Sequence, residues 1–71
     1  MKNLLKLERA RNNMTQAELA TKVNVSRQTI NSIEIGRYVP STMLAFKIAF
    51  VLDTKVDALF SLEEGDWDSV N

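Results

Sequence analysis

Residues Thr15 to Glu34, TQAELATKVNVSRQTINSIE, leave this chain few ways to fold. At 3.6 residues per turn, Leu19, Ala20 and Val23 share one face of a helix, and Ile30 and Ile33 share one face of the next. Only Asn24, Val25 and Ser26 stand between the two stripes. Asn is the non-glycine residue best able to adopt positive φ, Val25 is an apolar plug for the corner, and the Ser26 hydroxyl can cap the second helix. Two short amphipathic helices must therefore meet at a steep angle around an apolar seam. The small side chain of Ala20 lets them cross closely.

Thr15 is an N-cap with Glu18 three residues later, the capping-box spacing, so the first of these helices begins there. Gly36 stands where a glycine in the left-handed region would end the second. A steep helix pair with so short a turn is a helix-turn-helix. Its outward face carries Arg27, Gln28 and Asn31: Arg can bridge guanine O6 and N7, and Gln or Asn can pair with adenine N6 and N7 in a DNA major groove. Gln16, Ser26, Ser32, Arg37 and Tyr38 are candidate contacts to the DNA backbone. Helix amino termini present free amides to anions, and Arg37 adds charge. The plainer readings are capping alone for Gln16 and Ser26, and core packing of its ring for Tyr38.

The segments TQAELA, KVNVSRQTI and the following Ile33-Glu34 with Gly36, then GRYVPS, LAFKIA and DALF, resemble the phage repressor/Cro-type helix-turn-helix family over residues 4 to 62, particularly its small stand-alone bacterial regulators. The resemblance implies an all-α, compact five-helix domain of lambda-repressor-like type, with terminal residues paired as short strands in some members. It implies a sequence-specific DNA-binding transcriptional regulator, a repressor, acting as a homodimer on an inverted-repeat operator through recognition helix 27 to 34. It also implies an ion pair between Arg9 and Glu34. Asn24 stands where the family usually has Gly, and Lys55 where Ser, Thr or Pro is usual before the last helix. The alternative is a protein-interaction or antitoxin-like module of the same fold.

Leu4, Leu5 and Leu7 open a first helix expected to reach about Asn12, with Met14 plugging the next corner. Pro40 and Ser41 mark the start of the fourth, in which Leu44, Ile48, Val51 and Leu52 face inward beside Ala45 and Ala49. Met43, Phe46 and Phe50 lie outside that arc. Residues 56 to 60 form a short fifth helix, and residues 63 to 71 an acidic, unstructured tail whose one large apolar group is Trp67. One small core cannot take in Met43, Phe46, Phe50, Val56, Leu59, Phe60 and Trp67 together. A homodimer surface in the carboxy-terminal half is therefore expected, with Val39, Val56, Leu59 and Phe60 as its contacts, as small members of the resembling family also dimerise near these positions.

Seventy-one residues, 45% of them apolar, suit one small globular domain with no room for an effector domain, so no small-molecule ligand is expected. The absence of Cys and His removes disulfides, thiolate and imidazole catalysis and nearly all zinc sites, so neither metal nor cofactor is expected. Glu8, Glu18 and Glu34 lie on different helix faces, which argues against an enzyme built on paired carboxylates. The opening residues break their apolar run with Lys6, Glu8 and Arg9, unlike a signal peptide or a membrane span, so the expectation is a cytoplasmic protein. Formal net charge is zero, but residues 1 to 47 hold eight basic groups against three acidic ones, while the remainder holds Lys55 against six acids. Because salt screens beyond about 8 Å, the positive half can still meet phosphate.

Overall fold

The computed structural model describes residues 1 to 68; Ser69, Val70 and Asn71, the end of the expected acidic tail, lie outside the described residues. Strand β1 (Lys2–Asn3) is followed by helices α1 (Leu5–Arg11), α2 (Gln16–Val23), α3 (Arg27–Glu34), α4 (Thr42–Val51) and α5 (Val56–Leu59), then by strand β2 (Phe60–Ser61) and a 3-10 helix (Glu64–Asp68). The five helices fall in the segments expected of them, with α1 ending at Arg11 and α5 at Leu59, each one residue short of its expected end.

Local chemistry sets the boundaries. The Thr15 hydroxyl accepts from the Glu18 amide at 3.0 Å and the Glu18 carboxylate accepts from the Thr15 amide at 2.8 Å, which completes the capping box of α2. That amide draws the Glu18 carboxyl below its usual range. Asn24 closes α2 in the left-handed region at φ 61°, as its side chain permits. Ser26 and Ser41 cap α3 and α4 through the amides of Thr29 and Leu44. Lys55 makes no side-chain cap, and α5 is only four residues long. Gly36 has φ 78°, a conformation that would strain any residue with a Cβ.

Leu5, Leu19, Val23, Ile30, Ile33, Ile48, Leu52 and Leu59 form the buried centre, with Ala20, Ala45 and Ala49 allowing close helix approach. Met14, Val25 and Val51 pack partly buried against it. For Val51 this is less burial than the inward-facing arc implied, since it occupies the end of α4. The termini are joined: Lys2 pairs with Ser61 and Asn3 with Phe60 in an antiparallel ladder, and the Leu4 amide donates to the Leu59 carbonyl at 2.9 Å. Asn3 ties this corner to the centre. Its Oδ1 accepts from the Leu5 amide, which α1 leaves uncapped, and its Nδ2 donates to the Ile33 carbonyl at the end of α3.

Two expectations are corrected. Residues 61 to 68 are structured: the Met1 ammonium lies 2.8 Å from Glu63 and 3.1 Å from Asp66, and the Asp66 carboxylate accepts from the Glu63 amide. Leu59 and Phe60, expected on a dimer surface, are 1% and 7% exposed and belong to the protomer's own core. The ladder to β1 turns them inward. Val39 is 59% exposed and Val56 half-buried, while the outer face of α4 carries the surplus apolar surface.

Candidate nucleic-acid interface

Helix α3 buries Ile30 and Ile33 and so presents the opposite side to solvent. Arg27, Gln28 and Asn31 are exposed there together, and Ser32 is half-buried at their edge. The spacing of one, four and five residues along a helix brings these side chains onto a single surface.

The residues behind that surface are held by a chain of polar contacts starting in α1. Arg9 donates from Nε to Glu34 Oε2 at 2.6 Å, from Nη2 to Glu34 Oε1 at 3.2 Å, and from Nη1 to the Met14 carbonyl at 2.8 Å. The expected ion pair is therefore a two-pronged one, with the side chains 14% and 6% exposed. Glu34 Oε1 also accepts from Gln16 Nε2 at 3.0 Å. Gln16 then reaches two of the candidate base-reading residues: its Nε2 donates to Asn31 Oδ1 at 3.1 Å, and its Oε1 accepts from Arg27 Nη1 at 3.1 Å. Gln16, at the amino terminus of α2, thus braces Arg27 and Asn31 from behind. Gln28 makes no side-chain hydrogen bond among the described residues.

The candidate backbone contacts surround this face. Ser26, Ser32 and Tyr38 line an open polar hollow with Gln28 and Thr29. Tyr38 is 46% exposed, so its ring is not a core element. The Ser32 carbonyl accepts from the amides of both Arg37 and Tyr38, at 2.9 and 3.1 Å, which fixes the loop after α3 against the helix. Arg37 is exposed. Thr29 was not singled out by sequence, although it lies one turn beyond Ser26 and its hydroxyl is 2.9 Å from the Ser26 hydroxyl. The bracing role of Gln16 had no sequence signal, because it depends on how α2 crosses α3.

Among the described residues no group of carboxylates is arranged to hold a metal ion, and no helix is long and apolar enough to cross a membrane.

A helix-turn-helix family model matches residues 5–59, which includes all of α1 to α5. The chain belongs to the Cro/C1-type helix-turn-helix family. DNA binding and transcription regulation belong to that family. Among its relatives, the uncharacterized HTH-type transcriptional regulator MJ0272 of Methanocaldococcus jannaschii is 52% identical over 66 residues, 93% of this chain and 100% of that protein. The ImmF control region 10 kDa protein of Bacillus phage phi105 is 33% identical over 70 residues, 92% of this chain and 78% of the other. Among solved structures, the SinR protein/SinI protein complex superposes with a TM-score of 0.74 at 28% identity, covering 90% of this chain and 67% of that one. In this helix-turn-helix protein, α2 and α3 are the motif's two helices.

Proposed function

We propose that the protein is a repressor that binds an inverted-repeat operator as a homodimer, with α3 as the recognition helix in the major groove. Arg27, Gln28 and Asn31 read base edges. Gln16, Ser26, Ser32, Arg37 and Tyr38 contact the phosphate backbone from either end of α3. The observation that carries this reading is the joint exposure of the three bidentate side chains on α3, with Arg27 and Asn31 already braced through Gln16 to a buried ion pair. Bracing matters because side chains held near their binding geometry lose less freedom on docking.

The charge distribution agrees with this assignment. Basic groups predominate through residue 47, and the acids of residues 53 to 68 are kept to the other end of the chain. Two copies related by a two-fold axis would set their recognition helices about 34 Å apart, one turn of DNA. Val39 and Val56 are the dimer contacts that remain from sequence.

Selection of bound sites from random duplex DNA tests the proposal, followed by titration of Arg27→Ala and Gln28→Ala. The expected outcome is a dyad-symmetric site and a loss of about 1–3 kcal/mol per substitution on that site, with non-specific binding nearly unchanged. Equal loss on specific and random DNA would refute base reading by these residues, and a site without dyad symmetry would refute the dimeric mode. A module retained only for protein interaction would select no site at all.

A further inference from the structure

The hydrogen bonds of the Gln16 side chain have a polarity that is fixed from outside it. Arg27 can only donate and the Glu34 carboxylate can only accept, so the Gln16 amide has one orientation open to it, with Oε1 on Arg27 Nη1 at 3.1 Å and Nε2 on Glu34 Oε1 at 3.0 Å. Arg9 holds both carboxylate oxygens of Glu34 in place from behind. The second N–H of Gln16 Nε2 must then meet an acceptor on Asn31, which turns Asn31 Oδ1 inward at 3.1 Å. Asn31 is exposed, and its Nδ2 has no partner among the described residues. The polarity with which Asn31 faces the DNA is therefore set by a chain that begins at the ion pair.

Pairing with adenine on both its major-groove groups requires Asn31 to offer an acceptor to N6 as well as a donor to N7. Turning the amide over to do so breaks the bond from Gln16 and sets Asn31 Nδ2 against Gln16 Nε2, donor against donor. Guanine asks for no such turn, because O6 and N7 are both acceptors, whereas thymine offers one acceptor beside a methyl group. We propose that Asn31 reads guanine and not adenine, with Gln16 as the positioning residue that fixes it as a hydrogen-bond donor toward the base. This rests on the base-reading assignment above and names the base. Arg27, one turn back on the same face, is also a donor alone, so both residues tied to Gln16 call for acceptors on the base edge. Gln28 makes no side-chain hydrogen bond among the described residues and stays free to pair with adenine. Both N–H groups of the Gln16 amide are engaged, so a phosphate contact at this residue falls to its main-chain amide at the start of α2.

The test is selection of bound sites from random duplex DNA by the full chain and by its Asn31→Ala and Gln16→Ala variants, each first shown to keep the helical circular dichroism spectrum. Asn31→Ala should relax one position of the site, and at that position the wild type should prefer a G·C pair over A·T by about tenfold, the weight of one good base contact. Gln16→Ala frees the Asn31 amide to turn, so the preference at the same position should shrink to within about threefold, while the position relaxed by Gln28→Ala keeps its base. A purely structural role for Gln16 would lower affinity without changing which base is preferred. An A·T preference of the wild type at the Asn31 position overturns the fixed polarity, and so does a G·C preference that Gln16→Ala leaves unaltered; base reading by the helix survives either result. If Asn31→Ala relaxes no position while Arg27→Ala and Gln28→Ala do, this inference falls alone. Selection of no site at all removes it together with the reading it rests on.

Discussion

Glu34→Ala is the substitution that bears most directly on how the DNA-facing surface is built. It removes the acceptor of two charge-assisted hydrogen bonds from Arg9 and of one from Gln16, at a site where the carboxylate side chain is 6% exposed. Arg9 keeps its bond to the Met14 carbonyl but loses its counter-charge while 14% exposed. Breaking a buried pair from one side costs about 3–5 kcal/mol, and the residual access of water to Arg9 favours the lower end, about 3 kcal/mol. For 71 residues the whole folding free energy is on the order of 4–10 kcal/mol, so this is a large share of it. At roughly 4–8 °C per kcal/mol for a domain of this size, the midpoint should fall by about 12–24 °C in thermal denaturation followed by helical circular dichroism. The decisive form is a double-mutant cycle with Arg9→Met. Replacing both partners leaves no uncompensated charge, so the double variant should be destabilised by much less than the sum of the singles, with a coupling of at least about 1.5 kcal/mol. Additivity to within about 0.5 kcal/mol would refute the claim that the two charges support each other. Moderate salt should change little, because a pair this enclosed is poorly screened.

Leu59→Asp should unfold the protomer and abolish helical signal near room temperature, since it places a carboxylate at a 1% exposed position; a folded monomer would return Leu59 to the protein's surface. Arg37→Ala should weaken binding to every duplex alike and reduce the log-log salt slope by about 1, one phosphate contact's share; an unchanged slope removes Arg37 from the interface. Asp66 lies below its usual carboxyl range, first because it accepts from the Glu63 amide and then because of the Met1 ammonium. Its anchoring of the 3-10 helix is therefore present above the ordinary value of 3.8 and is lost as pH falls through the lowered one, so Trp67 fluorescence should stay constant down to that range and change below it. A transition centred above 3.8 would contradict this sign.

What was legible in the sequence was whatever depends on neighbours three or four residues away. The Thr15–Glu18 box, the Asn24 turn and the Ser26 and Ser41 caps each follow from what a side chain does to its own backbone, and the Gly36 terminus from the lack of one, so spacing alone bounded three helices, α2, α3 and α4. The outward face of α3 was legible for the same reason, since burying Ile30 and Ile33 leaves Arg27, Gln28 and Asn31 outside. The Arg9–Glu34 pair came only through the family resemblance, because 25 residues of chain separate its ends.

Tertiary structure decided the rest. A helix such as α4, apolar around most of its circumference, does not announce which residues go inside; Leu44, Ile48 and Ala49 are buried and Phe46 and Phe50 are not because α2 and α5 pack on one side only. Apolar spacing alone leaves Leu59 and Phe60 free to face outward; the β1–β2 ladder, whose partners are some 57 to 59 residues apart in the chain, turns them inward. Gln16 looked like a cap or a phosphate contact, and its reach to Arg27, Asn31 and Glu34 exists only at the angle at which α2 crosses α3. Local hydrogen-bond geometry is written into residue spacing, whereas the choice of buried face and the meeting of distant polar groups follow from the packing of whole elements.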